Sequence, residues 1–239
     1  MNTGSLSWGF TDARARAGHV WPAVCLLLGL VCIAAARFVF GGAADGPRRA
    51  LAIEADLVRG VAFGLVLPLF SYAASAHLGH RIDGLMRSSA ARYGEDRRVF
   101  ALGRLAFSAA AAFAIVLTCG SFALSLSGLA QPAAGSGASA GEISFYCVLG
   151  TAALGAVSYA SYMELAHLLG GGAGRASFLI ADWFFGSGVG LTAWLWPRAH
   201  LRSLLGGELP VGSSPSAAIA SLLVASCLAA LIYARRIPR

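Results

Sequence analysis

Two residue pairs have the spacing of metal ligands. His77-x-x-His80 and Glu164-x-x-His167 each set two donors three apart, which on a helix is one face. Glu-x-x-His is the pair that di-iron carboxylate bundles use. Such a site also needs glutamates from facing helices, and no other apolar run carries one at the same end. His77, His80, Glu164 and His167 thus define one alternative, a metal-dependent membrane enzyme. The other reading of these four is solvated helix-end residues.

Asp182 is the one acid clearly inside an apolar run. A carboxylate there must face a bundle interior, pair with a partner or be protonated. It is either a gate or proton-relay group, or half of a buried ion pair that fixes helix register. Arg175, about 10 Å away along a helix, and Arg104 are its expected partners. Glu164 lies at a similar depth, so Asp182, Glu164 and Arg175 form the expected intramembrane polar set.

Other chemistries are excluded by what is absent. All 18 basic residues are arginine. Without lysine there is neither a retinal Schiff base nor a phosphate-binding P-loop on this chain. The glycine run 170–174 (GGGAG) has no lysine after it and no strand before it, so it reads as a hinge or helix stop. Gly186-Ser187-Gly188 sits in an apolar run, not at a strand-to-helix elbow, so no serine nucleophile is expected. The five cysteines all fall in apolar runs, and an odd number without a CxxC reads as packing, not as a disulfide framework.

The elements that position these residues follow from composition. Of 239 residues, 57% are hydrophobic and 12% charged, about half the charge of a soluble domain. A helix crossing a bilayer core needs about 20 apolar residues. Six windows qualify: 20–40, 60–76, 105–126, 143–163, 176–196 and 217–234. The runs are continuous and do not alternate at period two, which disfavours a membrane barrel. The expected fold is therefore an all-α integral membrane protein with six transmembrane helices. Residues 1–19 form an interfacial segment, 20–235 the transmembrane domain and 236–239 a basic tail.

With the N-terminus cytoplasmic, twelve arginines fall inside and six outside, so both termini are expected in the cytoplasm. Arg48 and Arg49 stand on the unfavoured side. The alternative is a first span removed as a signal peptide, with Arg14 and Arg16 before it and Ala34-Ala35-Ala36 at the cut. A net charge of +7 is spread along the inner face and not along one groove, so no nucleic-acid partner is expected.

Gly60-x-x-x-Gly64 and Gly186-x-x-x-Gly190 are spaced for close helix packing in lipid, and Pro68 is expected to kink the second span. The segment 197–216 carries three prolines and an apolar face, and reads as a re-entrant dip or a surface amphipathic helix. The stretch 78–104, LGHRIDGLMRSSAARYGEDRRVFALGR, is the only long charged one. Its apolar spacing suits short amphipathic helices broken at Gly84 and Gly94, which lie on a membrane or in a partner's groove. A solvated positive-inside loop is the alternative.

This order of features resembles the membrane subunit of a type-2 ABC exporter, the permease family of drug, lipid, polysaccharide and antibiotic-self-resistance exporters. The residues that carry the resemblance are Asp83-Gly84-Leu85 and the run from Arg92-Tyr93-Gly94-Glu95-Asp96-Arg97-Arg98 through Val99-Phe100-Ala101-Leu102-Gly103-Arg104. The family often has glutamate at the place of Asp83 and lysine at the place of Arg104. The resemblance implies a cytoplasmic coupling helix between spans two and three, in which Asp83, Leu85, Met86, Arg92, Tyr93, Glu95, Arg97 and Arg98 meet an ATPase. It implies a non-enzymatic permease, acting as a homodimer or a heterodimer with a second permease, in the bacterial cytoplasmic membrane. ATP and magnesium would sit on separate ATPase subunits, with no cofactor on this chain. It also implies that 206–210 form the outer re-entrant turn. A non-transporting membrane scaffold is a further alternative.

Overall fold

The computed structural model describes residues 7, 9–11, 13–14, 20–41, 53, 55–79, 97–128, 143–208, 210 and 214–236. Among them the chain is helical and contains no strand. Helix α1 spans Val20–Gly41. Helix α2 begins as a π-helix, Leu57–Val66, and continues as α-helix over Leu67–Gly79. Helix α3 is Arg97–Gly128, α4 is Phe145–Phe185, α5 is the short Pro197–Leu204 and α6 is Pro215–Arg236.

Three helical stretches are long and apolar enough to cross a membrane: Leu57–His77, Arg98–Ser125 and Pro215–Arg235. Pro22–Phe38 is a shorter apolar helix. The described residues thus form an all-helical structure with three helices long and apolar enough to cross a membrane.

Helix α4 is not straight. A continuous 41-residue helix would be about 60 Å long. Instead, Gly170 and Gly171 leave helical geometry, and Gly171 takes a positive φ of 58° that favours glycine. Residues on either side of the break then meet. The Tyr159 hydroxyl reaches Asp182 at 2.6 Å, the rings of Tyr162 and Phe178 lie 5.2 Å apart, and Gly174 closes on the Ala166 backbone. These pairs are symmetric about the glycines, so the two arms, 145–169 and 172–185, run antiparallel. The glycine run makes the hinge that its composition leads one to expect.

The first arm is the centre of the bundle. It packs against α2, α3 and α6 and buries Thr151, Ser158, Tyr159, Ser161 and Glu164 beside its apolar residues. Surrounded by helices rather than lipid, it tolerates hydroxyls that lower its overall hydropathy. Ser226 of α6 donates to Ser158 at 2.8 Å, and Gly155 lets the Leu67 and Leu201 side chains approach its backbone.

The second arm departs from expectation. The window 176–196 is not one helix. Its α-helix stops at Phe185, where the Gly186 N–H bonds to the Asp182 carbonyl at 2.9 Å. A bend and a 3₁₀ turn, Leu191–Leu195, then lead to α5. Gly186, Gly188 and Gly190 end the helix because glycine carries the highest helix cost of any residue but proline. Apolar composition alone cannot register such a stop.

Helix α5 settles part of the alternative for 197–216. Pro197, Ala199, His200, Leu201 and Ser203 are buried, and Leu201 and Leu205 join the main core. It is seated among α2, α4 and α6 and is not a helix lying free on the surface. Outward faces of the bundle carry exposed apolar side chains, among them Leu27, Leu28 and Val31 of α1 and Leu223, Val224 and Leu228 of α6. All five cysteines are free thiols.

Candidate functional site

Pro68 sets up the site. Proline has no N–H for the carbonyl four residues before it, and its ring crowds that carbonyl. Here that carbonyl belongs to Gly64. The sequence leads one to expect a kink; the structure answers with a widened π-helix upstream, its end marked by the Leu67 N–H bonding back to Ala62. The Gly64 oxygen takes two side-chain donors instead: Arg198 Nη1 of α5 at 2.8 Å and Trp183 Nε1 of the second arm at 3.1 Å. The Arg198 guanidinium also lies over the Trp183 ring, 5.7 Å from its centroid.

One glycine of each pair expected to pack helices, Gly64 and Gly186, meets Arg198 here, while Gly60 and Gly190 have no atom within 4 Å of an added Cβ. A Cβ on Gly64 would stand 3.0 Å from Arg198 Nη2, and one on Gly186 would stand 2.9 Å from Arg198 Cβ. The glycines thus make room for an arginine.

Asp182 lies behind this arginine and is fully buried. Its expected partners, Arg175 and Arg104, are not its partners. Its Oδ2 accepts from the Tyr159 hydroxyl at 2.6 Å and its Oδ1 from the Arg198 backbone N–H at 3.2 Å. The hairpin explains the correction: it carries Asp182 away from the Arg175 end and toward the start of α5, where a free N-terminal N–H awaits an acceptor. Asp182 thus holds α5 in place through its backbone.

Two more arginines fix the same corner. Arg202 Nη1 donates to the Ser187 carbonyl at 2.6 Å. Arg59 Nε donates to the Leu205 carbonyl at 2.7 Å, capping the C-terminal end of α5 with a cation, and its Nη1 stands 3.8 Å from Asp56. Gly206 follows with a φ of +77°, and Gly207 N–H returns to the Arg202 carbonyl at 2.9 Å. Together these close an open cavity of about 450 Å³ lined by Gly60, Gly64, Leu65, Trp183, Phe184, Ser187 and Arg198.

A second polar cluster lies at the other end of the bundle. Glu164, Arg104, Arg175 and Tyr233 are all buried there. Ser75 of α2 donates to Glu164 Oε1 at 2.8 Å. Tyr233 of α6 is within electrostatic reach of Glu164, Arg104 and Arg175, and Arg175 within reach of Glu164, Tyr72 and Tyr233. Glu164 therefore sits with the Ser75 hydroxyl, the Arg175 guanidinium and the Tyr233 phenol, so that α2, α4 and α6 converge on it.

The metal alternative finds no assembled site. His77 is exposed, and His167 is half-buried on the arm that carries Glu164. Among the described residues no group of three or more His, Cys, Asp or Glu side chains is gathered. His80 lies outside the described residues, as do Asp83, Leu85, Met86, Arg92, Tyr93 and Glu95 of the expected coupling segment. Arg97 opens α3, and Arg98 is half-buried in its first turn. The N-terminal segment touches the same helix, with the Phe10 ring edge-on to Phe107 at 5.3 Å.

Arg198, Arg59 and Arg202 escape sequence reading because arginines in loops count there only as topological charge. Pro68 with a glycine four residues before it was the available signal. Comparison with protein-family models, curated proteins and solved structures gives no match.

Proposed function

We propose that the chain is the membrane-spanning permease subunit of an ATP-driven exporter, forming the translocation path and coupling to a separate ATPase subunit. In this reading six spans cross the cytoplasmic membrane of a bacterium with both termini inside. Span four is the first arm of α4, and the place of span five is filled by the second arm together with the turn and 3₁₀ segment that follow it to Leu195. The subunit works as a dimer with itself or with a second permease.

The observation that carries this reading is the buried hairpin between the second arm and α6. Helix α5 is folded back into the bundle and capped there by Arg59 and Asp182, which is where a type-2 exporter permease is expected to carry its outer re-entrant turn. Non-membrane-spanning backbone at that depth is stable only when buried in protein, and α5 is so buried. The antiparallel arms and the charged stretch before α3 are in keeping with the same plan. Bundles so tied move as rigid units, which suits rocking driven by ATP closure on a partner.

The test is association. The chain expressed from its native operon should co-purify in mild detergent with an ATPase that carries its own P-loop lysine. Arg97→Glu with Arg98→Glu should abolish that association while leaving the permease folded by thermal melting. Purification without any ATPase, or an undiminished complex in the double variant, would end the reading.

A further inference from the structure

The cavity beside Arg198 is built to hold something. Its floor is the Gly64 carbonyl region of α2, one wall is Trp183 and Phe184 of the second arm, and Arg198 stands over it. Phe184 is 77% exposed, so the apolar wall is open to whatever surrounds the bundle.

The Arg198 guanidinium makes no close ion pair: the Asp182 carboxylate is within its electrostatic reach, but the buried Nε has no hydrogen-bond partner among the described residues. The Arg198 backbone N–H, not its side chain, meets Asp182, and that carboxylate already takes the Tyr159 hydroxyl on its other oxygen. No carboxylate lies within salt-bridge distance of the guanidinium among the described residues. Nη1 is held by Gly64, while Nη2 has no acceptor among the described residues. A guanidinium is a rigid fork suited to two parallel bonds with a phosphate or carboxylate. Here the fork is fixed on one tine and stacked on Trp183, so the order that binding requires is already in place.

Neighbouring charges do not offset it. Arg202 is turned to the Ser187 carbonyl, and Ser187 itself lines the cavity. Arg59 faces Leu205 and the exposed Asp56. Of the three arginines of this corner, Arg198 lines the opening, together with glycines, Leu65, Ser187 and two aromatic side chains.

We propose that this cavity binds an anionic amphiphile, a lipid whose phosphate head pairs with Arg198 and whose acyl chain lies along Trp183 and Phe184. The shared chemistry is a phosphate oxyanion, and the apolar wall assigns it to a lipid rather than to free phosphate. A zwitterionic lipid has the same phosphate but carries its own cation, which three nearby arginines disfavour. The site rests on the membrane location alone and is independent of any ATPase partner.

Native mass spectrometry of delipidated protein in detergent tests this. The probes are dioleoylphosphatidylglycerol, dioleoylphosphatidylcholine and inorganic phosphate. The full chain should retain one phosphatidylglycerol about tenfold more tightly than phosphatidylcholine, as a charge-assisted bond predicts. Arg198→Gln should remove that preference. Gly60→Leu is the second variant, because a Cβ at Gly60 meets no atom within 4 Å and the larger side chain fills the opening while sparing the arginine network. It should melt as the unaltered protein does and bind phosphatidylglycerol about tenfold more weakly. Equal retention of both lipids, or retention unchanged in Gly60→Leu, would overturn the proposal. Displacement of the lipid by equimolar inorganic phosphate would also overturn it, since the apolar wall would then contribute nothing.

Discussion

Glu164 and Asp182 stand on opposite arms of one hairpin, both buried, and they are partnered in different ways. Glu164 lies within electrostatic reach of Arg175 and of the Tyr233 phenol. Asp182 touches no guanidinium; a phenol and a backbone N–H suffice. The cluster at Glu164 brings Arg175 within electrostatic reach of the carboxylate, which favours cohesion. The corner at Asp182 keeps the nearest guanidinium for other work. Two buried carboxylates therefore do different jobs: Asp182 is hydrogen-bonded through both oxygens, whereas Glu164 takes the Ser75 hydroxyl on Oε1 and leaves Oε2 without a hydrogen-bond partner among the described residues.

That contrast can be broken most severely at Glu164. Glu164→Ala leaves the buried Arg175 without the carboxylate within its electrostatic reach. A buried charge stripped of its partner costs about 3–5 kcal/mol. Unfolding in mixed detergent and dodecyl sulfate micelles should show that loss; one below about 1 kcal/mol would mean that Arg175 finds other partners. Asp182→Ala should cost less, about 1.5–3 kcal/mol for two hydrogen bonds to a charged group. Asp182→Asn should recover part of it, because an amide oxygen still accepts from the Arg198 N–H.

Finer changes sharpen the comparison. Tyr159→Phe removes one of only two partners of Asp182, whereas Ser75→Ala leaves Glu164 with Arg175 in electrostatic reach. Tyr159→Phe should therefore cost about 1–3 kcal/mol and Ser75→Ala about 0.5–1.5 kcal/mol in the same unfolding series. The reverse order would contradict the contrast. The smallest effect belongs to Pro68→Ala, which restores an N–H opposite the Gly64 carbonyl. Stability should shift by less than about 1 kcal/mol, and the new amide should be protected in hydrogen exchange if it competes with Arg198 and Trp183.

Much of the fold was legible because apolar runs report burial directly. The windows for α1, α2, α3 and α6 fall within observed helices, and the glycine run falls at the hairpin turn. The early end of the second arm was not legible, since near-neutral glycine scarcely lowers the hydropathy of a run that also holds leucine and valine, whether or not a helix continues. Asp182, Glu164 and Arg175 are all buried, but Asp182 does not pair with the arginines expected of it. Asp182 and Arg175 are neighbours along the sequence of one arm, but the partner of Asp182 lies on the other arm, across a turn whose register no single segment encodes. Arg198 was visible as a charge and invisible as a ligand to Gly64, because that bond depends on a carbonyl freed by Pro68 in a helix far away in sequence.

The ties among three helical segments have a mechanical consequence. Segment α2 is joined to the first arm through Ser75 and Glu164, and to the second arm through Gly64 and Trp183. The two arms are joined to each other through Tyr159 and Asp182. Three struts linked pairwise form a triangulated truss, which cannot shear without breaking a joint. Helix α1 is held differently: it meets this frame through close apolar contact, with Gly29 against Val66 and Cys119. A contact of that kind resists separation but offers little resistance to sliding. The truss is the fixed chassis of the molecule, and α1 is its sliding panel.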